Sequence, residues 1–445
     1  MKTQFTTILH TDLYQLTMAN AYFHAGIANR EATFNLYYRR PPRGAKFIVF
    51  AGLEQALDWL VNLDTDECAI AFVKKNVPNI HTDFLVALRN IKEHVKLLKI
   101  HALDEGIIAY PNTPLVTVTG PQWLGQLIET ALLNEINHQS LIATTAAQIC
   151  SVAENDSVFE LGFRRAQGQT AALHGARAAY IGGVAGTSNV LAGKLFNIPV
   201  MGTHAHSWIM SFSTEYDAFA AYARVYPDNC VFLVDTYDTL EGTKTAIKVA
   251  NDLGVCLKGV RLDSGDLLLL SKSVRTLLDD AGFNDTFIIA SNDLDARHIR
   301  ELKQAGAPIT VWGVGTRLIT AFFDPALGGV YKLASFIEAG QRIDVAKNTP
   351  GKMSLSGRVS LTRYFRADGT ANYDLVHVLD SEHVVPTGCT ARKMLNIVFS
   401  GGSQHRAQHI ADSRARAIKG YEYFNDVAYD VIFDSYVKGT NKCQF

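Results

Sequence analysis

The sequence predicts an α/β protein built around an irregular (β/α) barrel, and two observations carry that prediction. First, four segments share one grammar: a short apolar run ends abruptly in polar residues and is followed by a helical stretch. They are VFLVDTYD (Val231–Asp238), VRLDSGD (Val260–Asp266), FIIASNDLD (Phe287–Asp295) and ITVWGVGTR (Ile309–Arg317). Runs rich in β-branched and aromatic residues with helices between them are the pattern of parallel strands buried on both faces. Second, further strand ends at Phe159–Arg165, Ile181–Ser188, Val200–His206 and Gly328–Phe336 bring the series to about eight, enough to close a barrel. In such folds the carboxyl ends of the strands carry the chemistry. That rule singles out Asp235, Arg261, Asp263, Asn292, Gly313 and Gly315.

At 445 residues the chain is too long for one compact core. Residues 1–132 read as a mixed α+β N-terminal domain, 133–336 as the barrel, and 337–445 as a C-terminal segment packing back on the N-terminal domain. TDLYQLTMANAYF predicts a helix entered through Thr11 or Asp12. ATFNLYYRRPP predicts a strand stopped by Pro41 and Pro42, and FAGLEQALDWLVNL a helix. Beyond about Ile337 the pattern loosens into β-like pieces (TPGKMSLSGRVSLTRYF) and then a basic helix (HRAQHIADSRARAIKG).

The chain is 48% hydrophobic and 19% charged with a formal net charge of −1, an ordinary globular balance. This speaks against nucleic acid or an anionic membrane as partner. An anionic ligand must then be held by local arginines and backbone amides. Six scattered cysteines without a CxxC point to reduced thiols rather than a disulfide framework or zinc site. The first residues do not read as a secretory signal, and no window approaches the ~18 apolar residues of a membrane span. A cytoplasmic location is the expectation.

Several constellations carry chemistry. In RLDSGD an acid and an arginine share a strand end, and Ser264 and Gly265 are expected to open a helix whose free N–H groups bind anions. The plainer alternative is an Arg–Asp pair that merely caps the strand. In WGVGTR two glycines could cradle a phosphate with help from Arg317, or simply form a tight turn. In DTYD, Asp235 and Asp238 could hold Mg²⁺ on a pyrophosphate, or Asp238 could cap a helix. Arg164 and Arg165 in GFRRAQ form an anion clamp or a surface pair. GTHAHSW places His204 and His206 two apart, on one face if the segment is a strand. That suits an HxH metal hydrolase, a nucleophilic histidine able to take a phosphoryl group, or packing.

TDLYQLTMANAYF, FNLYYRRPP, FAGLEQAL, ELGFRRAQG, GGVAGTSNVLAGK, GTHAHSW, VDTYDT, RLDSGDL, SNDLD, GVGTRL and GGVYKL, in this order, resemble the nicotinate phosphoribosyltransferase family. The resemblance spans about Thr11 to Leu333. It implies the barrel of the type II phosphoribosyltransferases and a reaction in which nicotinate displaces pyrophosphate from phosphoribosyl pyrophosphate. It further implies coupling to ATP hydrolysis through an autophosphorylated histidine, which by position in GTHAHS is His206. Mg²⁺ would accompany the pyrophosphate.

Carried over by position, the resemblance makes Tyr14 an aromatic that covers the pyridine ring from a partner subunit, and so implies a homodimer. Arg261 falls near the ring's carboxylate, Asp263 and Asp235 at ribose and metal-pyrophosphate contacts, and Arg164 at a phosphate. Gly313 and Gly315 fall at the 5′-phosphate. Ser264, Gly265, Asn292 and Thr316 are further substrate-binding candidates. Related nicotinamide enzymes carry Asp where this chain has Ser188. A serine can donate to a carboxylate whereas an aspartate repels it, so Ser188 argues for the acid over nicotinamide. Quinolinate enzymes are smaller and use no ATP. A binding paralogue without catalysis would lack a reason to keep these reactive residues.

Two positions depart from the family. Leu161 stands where Phe is usual, leaving Phe163, two along and expected on the same strand face, as the substitute ring wall. Ala185 stands where an acid is common. The segment around Lys347 and Lys352 is also less like the family's lysine-rich loop, which leaves those two lysines as further candidates for phosphate contacts.

Overall fold

The computed structural model describes residues 6–347, 354–379, 381, 383–405 and 409–434. The chain divides into two compact units, one from Ile142 to Pro325 and the other made of the residues up to Leu141 and from Ala326 onward. The barrel boundaries expected at 133 and 336 therefore move. One helix, Glu129–Ala153, runs unbroken through the first of them. At the second, the strand Gly329–Glu338 pairs antiparallel with Glu31–Tyr38 and so belongs to the other unit.

The Ile142–Pro325 unit holds six parallel strands: β1 (Ser157–Glu160), β2 (Gly186–Thr187), β3 (Cys230–Leu233), β4 (Leu257–Leu262), β5 (Phe287–Ala290) and β6 (Val311–Val314). Their order is β2-β1-β6-β5-β4-β3. This is a curled half-barrel, not a closed eight-stranded one. The strands are short and almost wholly buried, as their apolar composition requires of a sheet covered on both sides. Val200–His206 does not form a strand. It makes one bridge, from Val200 to Thr187, and His206 already begins a short helix. Val200 and Met201, the large apolar residues that would face a sheet core, are exposed instead.

Helices α1 (Gln169–Ile181), α2 (Val190–Phe196), α3 (His206–Met210), α4 (Glu215–Val225), α5 (Thr239–Leu253), α6 (Leu267–Asp280) and α7 (Ala296–Gln304) connect the strands. α5 buries Gly242, Thr243, Ala246, Val249 and Ala250, one face at helical spacing. A Cβ on Gly242 would lie 2.1 Å from the Val234 carbonyl, so glycine permits the close approach of helix and strand end.

In the other unit, Glu31–Tyr38 sits inside a seven-stranded sheet between Val116–Pro121 and Gly329–Glu338. Asn396–Ser400 joins the same sheet by pairing with Lys99–Ala102. The first helix is Leu13–His24. Asp12 holds its cap position but makes no side-chain cap bond, because its carboxylate accepts the Thr130 hydroxyl instead. The basic helix of the C-terminal segment is Ile410–Asp426. Among the described residues no helix is long and apolar enough to cross a membrane. Cys68, Cys150, Cys230, Cys256 and Cys389 are free thiols, and Cys443 lies outside the described residues.

Candidate active site

The carboxyl ends of β3, β4 and β5 meet in one hydrogen-bonded network. Asp235 follows β3, and its Oδ2 accepts the backbone N–H of Asp263 at 3.0 Å and the Ser264 hydroxyl at 2.6 Å. Its other carboxylate oxygen, Oδ1, is buried without a hydrogen-bond partner. Arg261, on β4, is held on three sides. Its Nε donates to Ser291 Oγ at 3.0 Å, Nη1 to Thr203 Oγ1 at 3.1 Å and Nη2 to Asp263 Oδ1 at 3.1 Å. Ser291, just past β5, also donates its hydroxyl to Asp263 Oδ1. Asn292 and Asp293 then turn the chain with φ of 111° and 45° and stand exposed.

The two histidines separate. His204 is buried against Phe219, Tyr222 and Phe232, and its Nε2 accepts the Leu233 N–H at 3.4 Å. Burial pulls its pKa down to about 4, which keeps the ring neutral. His206 is the one at the strand ends. Its Nδ1 lies 3.1 Å from Thr236 Oγ1, and its Nε2 lies 4.0 Å from Asp263 Oδ2. The HxH metal pair is thus not formed, because one ring packs in an aromatic enclosure and the other faces polar groups. Among the described residues no group of three or more His, Cys, Asp and Glu side chains is placed to hold a metal ion.

Three acids three residues beyond the strand-end positions have a different job. Asp238, Asp266 and Asp295 each cap a helix, accepting two backbone N–H groups at 2.9–3.1 Å. The expectation that Ser264 and Gly265 open a helix with free N–H groups fails for this reason: α6 begins at Leu267 with Asp266 already on its end. Asp238 likewise serves as cap. Arg317 is committed to Asp295 at 2.7 Å and to the rings of Phe322 and Phe323, not to an open phosphate cradle.

Two more loops flank the network. β1 stops at Glu160, and Phe163–Arg165 form a 3-10 turn. Phe163 therefore does not share a strand face with Leu161. It is 51% exposed on the turn, beside the exposed Arg164 and Arg165. Leu161 packs over Gly313, where a Cβ would come within 2.6 Å of its side chain. Gly315 likewise faces the Leu161 backbone, and Thr316 begins the short helix Thr316–Ile319. Ser188 follows β2, with its N–H on the Glu160 carbonyl at 2.9 Å.

Four residues that the motifs did not single out are structural members of this region: Thr203, Ser291, Glu160 and Glu215. Burial, then the nearby Asp235 and Asp238 carboxylates, pushes the Glu215 pKa up to about 7. Tyr14 lies in the other unit, on the helix Leu13–His24, and is 47% exposed. Burial and the Glu129 carboxylate raise its phenol to about 12. Lys347 bonds Ser354 through its backbone N–H, and Lys352 lies outside the described residues.

A model of the nicotinate phosphoribosyltransferase N-terminal domain matches residues 9–137, and a model of the nicotinate phosphoribosyltransferase family matches residues 157–378. The nicotinate phosphoribosyltransferase of Bacillus subtilis (strain 168) is 48% identical over 360 residues, covering 80% of this chain and 72% of the relative. That of Homo sapiens is 33% identical over 437 residues, covering 85% of this chain and 80% of the relative. The crystal structure of human nicotinic acid phosphoribosyltransferase superposes with a TM-score of 0.84 at 28% identity, covering 96% of this chain and 98% of that one. A nicotinate-nucleotide pyrophosphorylase from Pyrococcus furiosus, 22% identical, shares the fold with a TM-score of 0.75 over 94% of this chain and 96% of its own. By sequence and by fold, the chain belongs to the nicotinate phosphoribosyltransferase family.

Proposed function

We propose that this chain makes nicotinate mononucleotide from nicotinate and phosphoribosyl pyrophosphate, the first step of NAD synthesis from nicotinate, and couples the transfer to ATP hydrolysis. The observation that carries the reading is the Asp235–Asp263–Arg261 network at the strand ends with the His206 imidazole beside it, in a chain of this family.

In the transfer, the bond from the ribose C1′ to pyrophosphate breaks as the pyridine nitrogen bonds to C1′, through a sugar with oxocarbenium character. Asp263 would face that developing positive charge, and Arg261, pinned by Ser291 and Thr203, would hold its guanidinium toward the ring's carboxylate. The Ser188 hydroxyl would donate to the same carboxylate. Asp235 suits Mg²⁺, which is bound through one or two protein carboxylates plus substrate phosphates and waters, since its Oδ1 has no protein partner. When bound, Mg²⁺ would neutralise the leaving pyrophosphate.

For the coupling, Nδ1–H of His206 would donate to Thr236, which leaves the Nε2 lone pair to attack the γ-phosphorus of ATP with ADP as leaving group. Water then releases the phosphate. The cycle alters substrate and product binding through the differential affinity of the two enzyme forms. A cytoplasmic homodimer belongs to the same reading. The five described free cysteines suit a reducing compartment, and Leu13 and Tyr14 offer exposed apolar surface to a partner.

The test is mononucleotide formation from phosphoribosyl pyrophosphate with nicotinate, nicotinamide or quinolinate, each with and without Mg-ATP. Product from nicotinate alone, rising with ATP and releasing ADP, is expected. Ser188→Asp should raise KM for nicotinate and favour nicotinamide. Equal use of both pyridines by the wild type would mean that Ser188 does not select the acid.

A further inference from the structure

Glu160 ends β1, the strand next to the sheet edge, in register with Thr187 of the edge strand β2 on one side and Val314 of β6 on the other. Its side chain is fully buried. A buried carboxylate ordinarily meets a cation, because removing its charge from water is costly. Here two neutral donors hold it. Thr187 Oγ1 donates to Oε2 at 2.6 Å, and the backbone N–H of Gly162 donates to Oε1. Burial pushes the carboxyl pKa upward against both hydrogen bonds.

What makes the arrangement informative is where those donors lie. Gly162 immediately precedes the 3-10 turn that carries Arg164. Thr187 immediately precedes Ser188, and its hydroxyl oxygen also accepts the N–H of Asn189 at 3.0 Å. The Glu160 carbonyl takes the Ser188 N–H. One residue thus ties down both loops, by its side chain and by its backbone. Neither loop can easily back away. A Cβ on Gly162 would lie 2.6 Å from the Ile319 side chain and 2.9 Å from Glu160 Oε1.

We propose that Glu160 is a positioning residue that sets the Ser188 loop and the Arg164 turn in register, so that the ring end and the phosphate end of the substrates are gripped as one unit. This rests on the functional reading above, in which Ser188 and Arg164 contact substrate. Ser188 by itself discriminates; Glu160 decides where it stands relative to the arginine.

The experiment is steady-state kinetics on Glu160→Gln, with Thr187→Val and Thr187→Ser beside it. A glutamine has one acceptor oxygen and turns an NH₂ toward the second donor, so the two loops can no longer both be held. KM for nicotinate and KM for phosphoribosyl pyrophosphate should both rise about tenfold or more, the lower end of what losing an outer-shell partner costs a metal site. The change in kcat should be smaller. Thr187→Val should move both KM values the same way, and Thr187→Ser, which keeps the hydroxyl, should restore them.

If Glu160→Gln does not fold, the Thr187 pair decides the same question. A fall in Tm with both KM values unchanged would overturn the proposal and leave Glu160 a structural residue. A rise in one KM alone would overturn the coupling of the two loops. A wild-type enzyme without nicotinate-dependent pyrophosphate release would overturn the functional reading beneath it.

Discussion

Asp235 reaches from the end of one strand to the turn after the next, where its Oδ2 accepts the Ser264 hydroxyl at 2.6 Å. The same oxygen takes the Asp263 N–H, so one carboxylate oxygen orients the Asp263–Ser264 turn while the other is left without a protein partner. Asp235→Asn should therefore act on two levels. It weakens the acceptor that orients Asp263 and removes the charge that suits Mg²⁺. The Mg²⁺ concentration for half-maximal activity should rise about 10- to 100-fold. Ser264→Ala, which removes only the hydroxyl, should leave the Mg²⁺ response near wild type. Equal Mg²⁺ titrations for wild type and Asp235→Asn would assign the metal elsewhere.

The two histidines of GTHAHS should give opposite results. His206→Ala should abolish ATP stimulation and the acid-labile phosphoprotein while keeping basal transfer. His204→Phe should keep the ATP response, because His204 contributes packing. His204 also carries a pH signature. Its folded pKa of about 4 lies below the usual 6.5, so the unfolded chain binds the extra proton in that interval. The associated stability is complete above about pH 6.5 and is lost as pH falls toward 4, amounting to about 2 kcal/mol by pH 5. Glu215, raised to about 7, titrates in the same window with the opposite sign, since its folded form binds the proton and stability falls as pH rises. The difference between wild type and His204→Phe isolates the histidine. Thermal unfolding at pH 7 and pH 5 should show the wild type losing more than the variant, and parallel losses would count against a buried neutral ring.

Buried charge in the other unit supplies a stability test remote from the chemistry. Arg363 pairs with Asp374 through two bonds at 2.8 and 2.9 Å, donates to the Ile108 carbonyl and lies over the rings of Phe424 and Tyr429. Tyr429 donates its hydroxyl to the same aspartate at 2.8 Å. Removing one partner strands the other in the core, so Asp374→Ala should cost about 3–5 kcal/mol. Denaturant unfolding measures it. A loss under about 1 kcal/mol would mean that the guanidinium finds water.

Much of the site is legible in the sequence because the strand ends repeat a pattern: a polar residue one or two places after the strand, then an acid three residues on. Asp235 and Asp238, Asp263 and Asp266, and Asn292 and Asp295 all follow it. The pattern does not say which acid does chemistry. The structure divides the work, with the first position turned to the network or its edge and the second spent on a helix end. Ser291 and Thr203 stay hidden because a lone hydroxyl carries no motif. Their signal is only that each flanks a residue already suspected. Glu160 stays hidden because an acid inside an apolar strand reads as its polar terminus. The expected strand count is too high for a related reason. Gly328–Phe336 is apolar enough for a parallel strand, yet its partner, Glu31–Tyr38, comes from some three hundred residues earlier in the chain, and local pattern cannot announce so distant a pairing.

Tyr14 carries the prediction about assembly. On its own helix it is well anchored: Glu129 lies beside the phenol, and the neighbouring Gln15 joins Gln126 and Glu129 in a buried network. The ring is nevertheless half exposed, an arrangement that suits an aromatic offered to something outside its own subunit. If it covers the pyridine of a partner's site, Tyr14→Ala and Asp263→Ala should each be nearly inactive, yet mixing the two should restore activity. In a randomly exchanged mixture half the dimers are mixed, and each mixed dimer has one site that receives neither defect. Recovery should approach about a quarter of the wild-type rate at equal total protein, as a two-fold dimer with shared sites requires. Sedimentation of the same mixture verifies that dimers form. Dimers without recovery would place the action of Tyr14 within its own subunit, where Tyr14→Phe with normal KM for nicotinate would then locate its contribution in the ring rather than the hydroxyl.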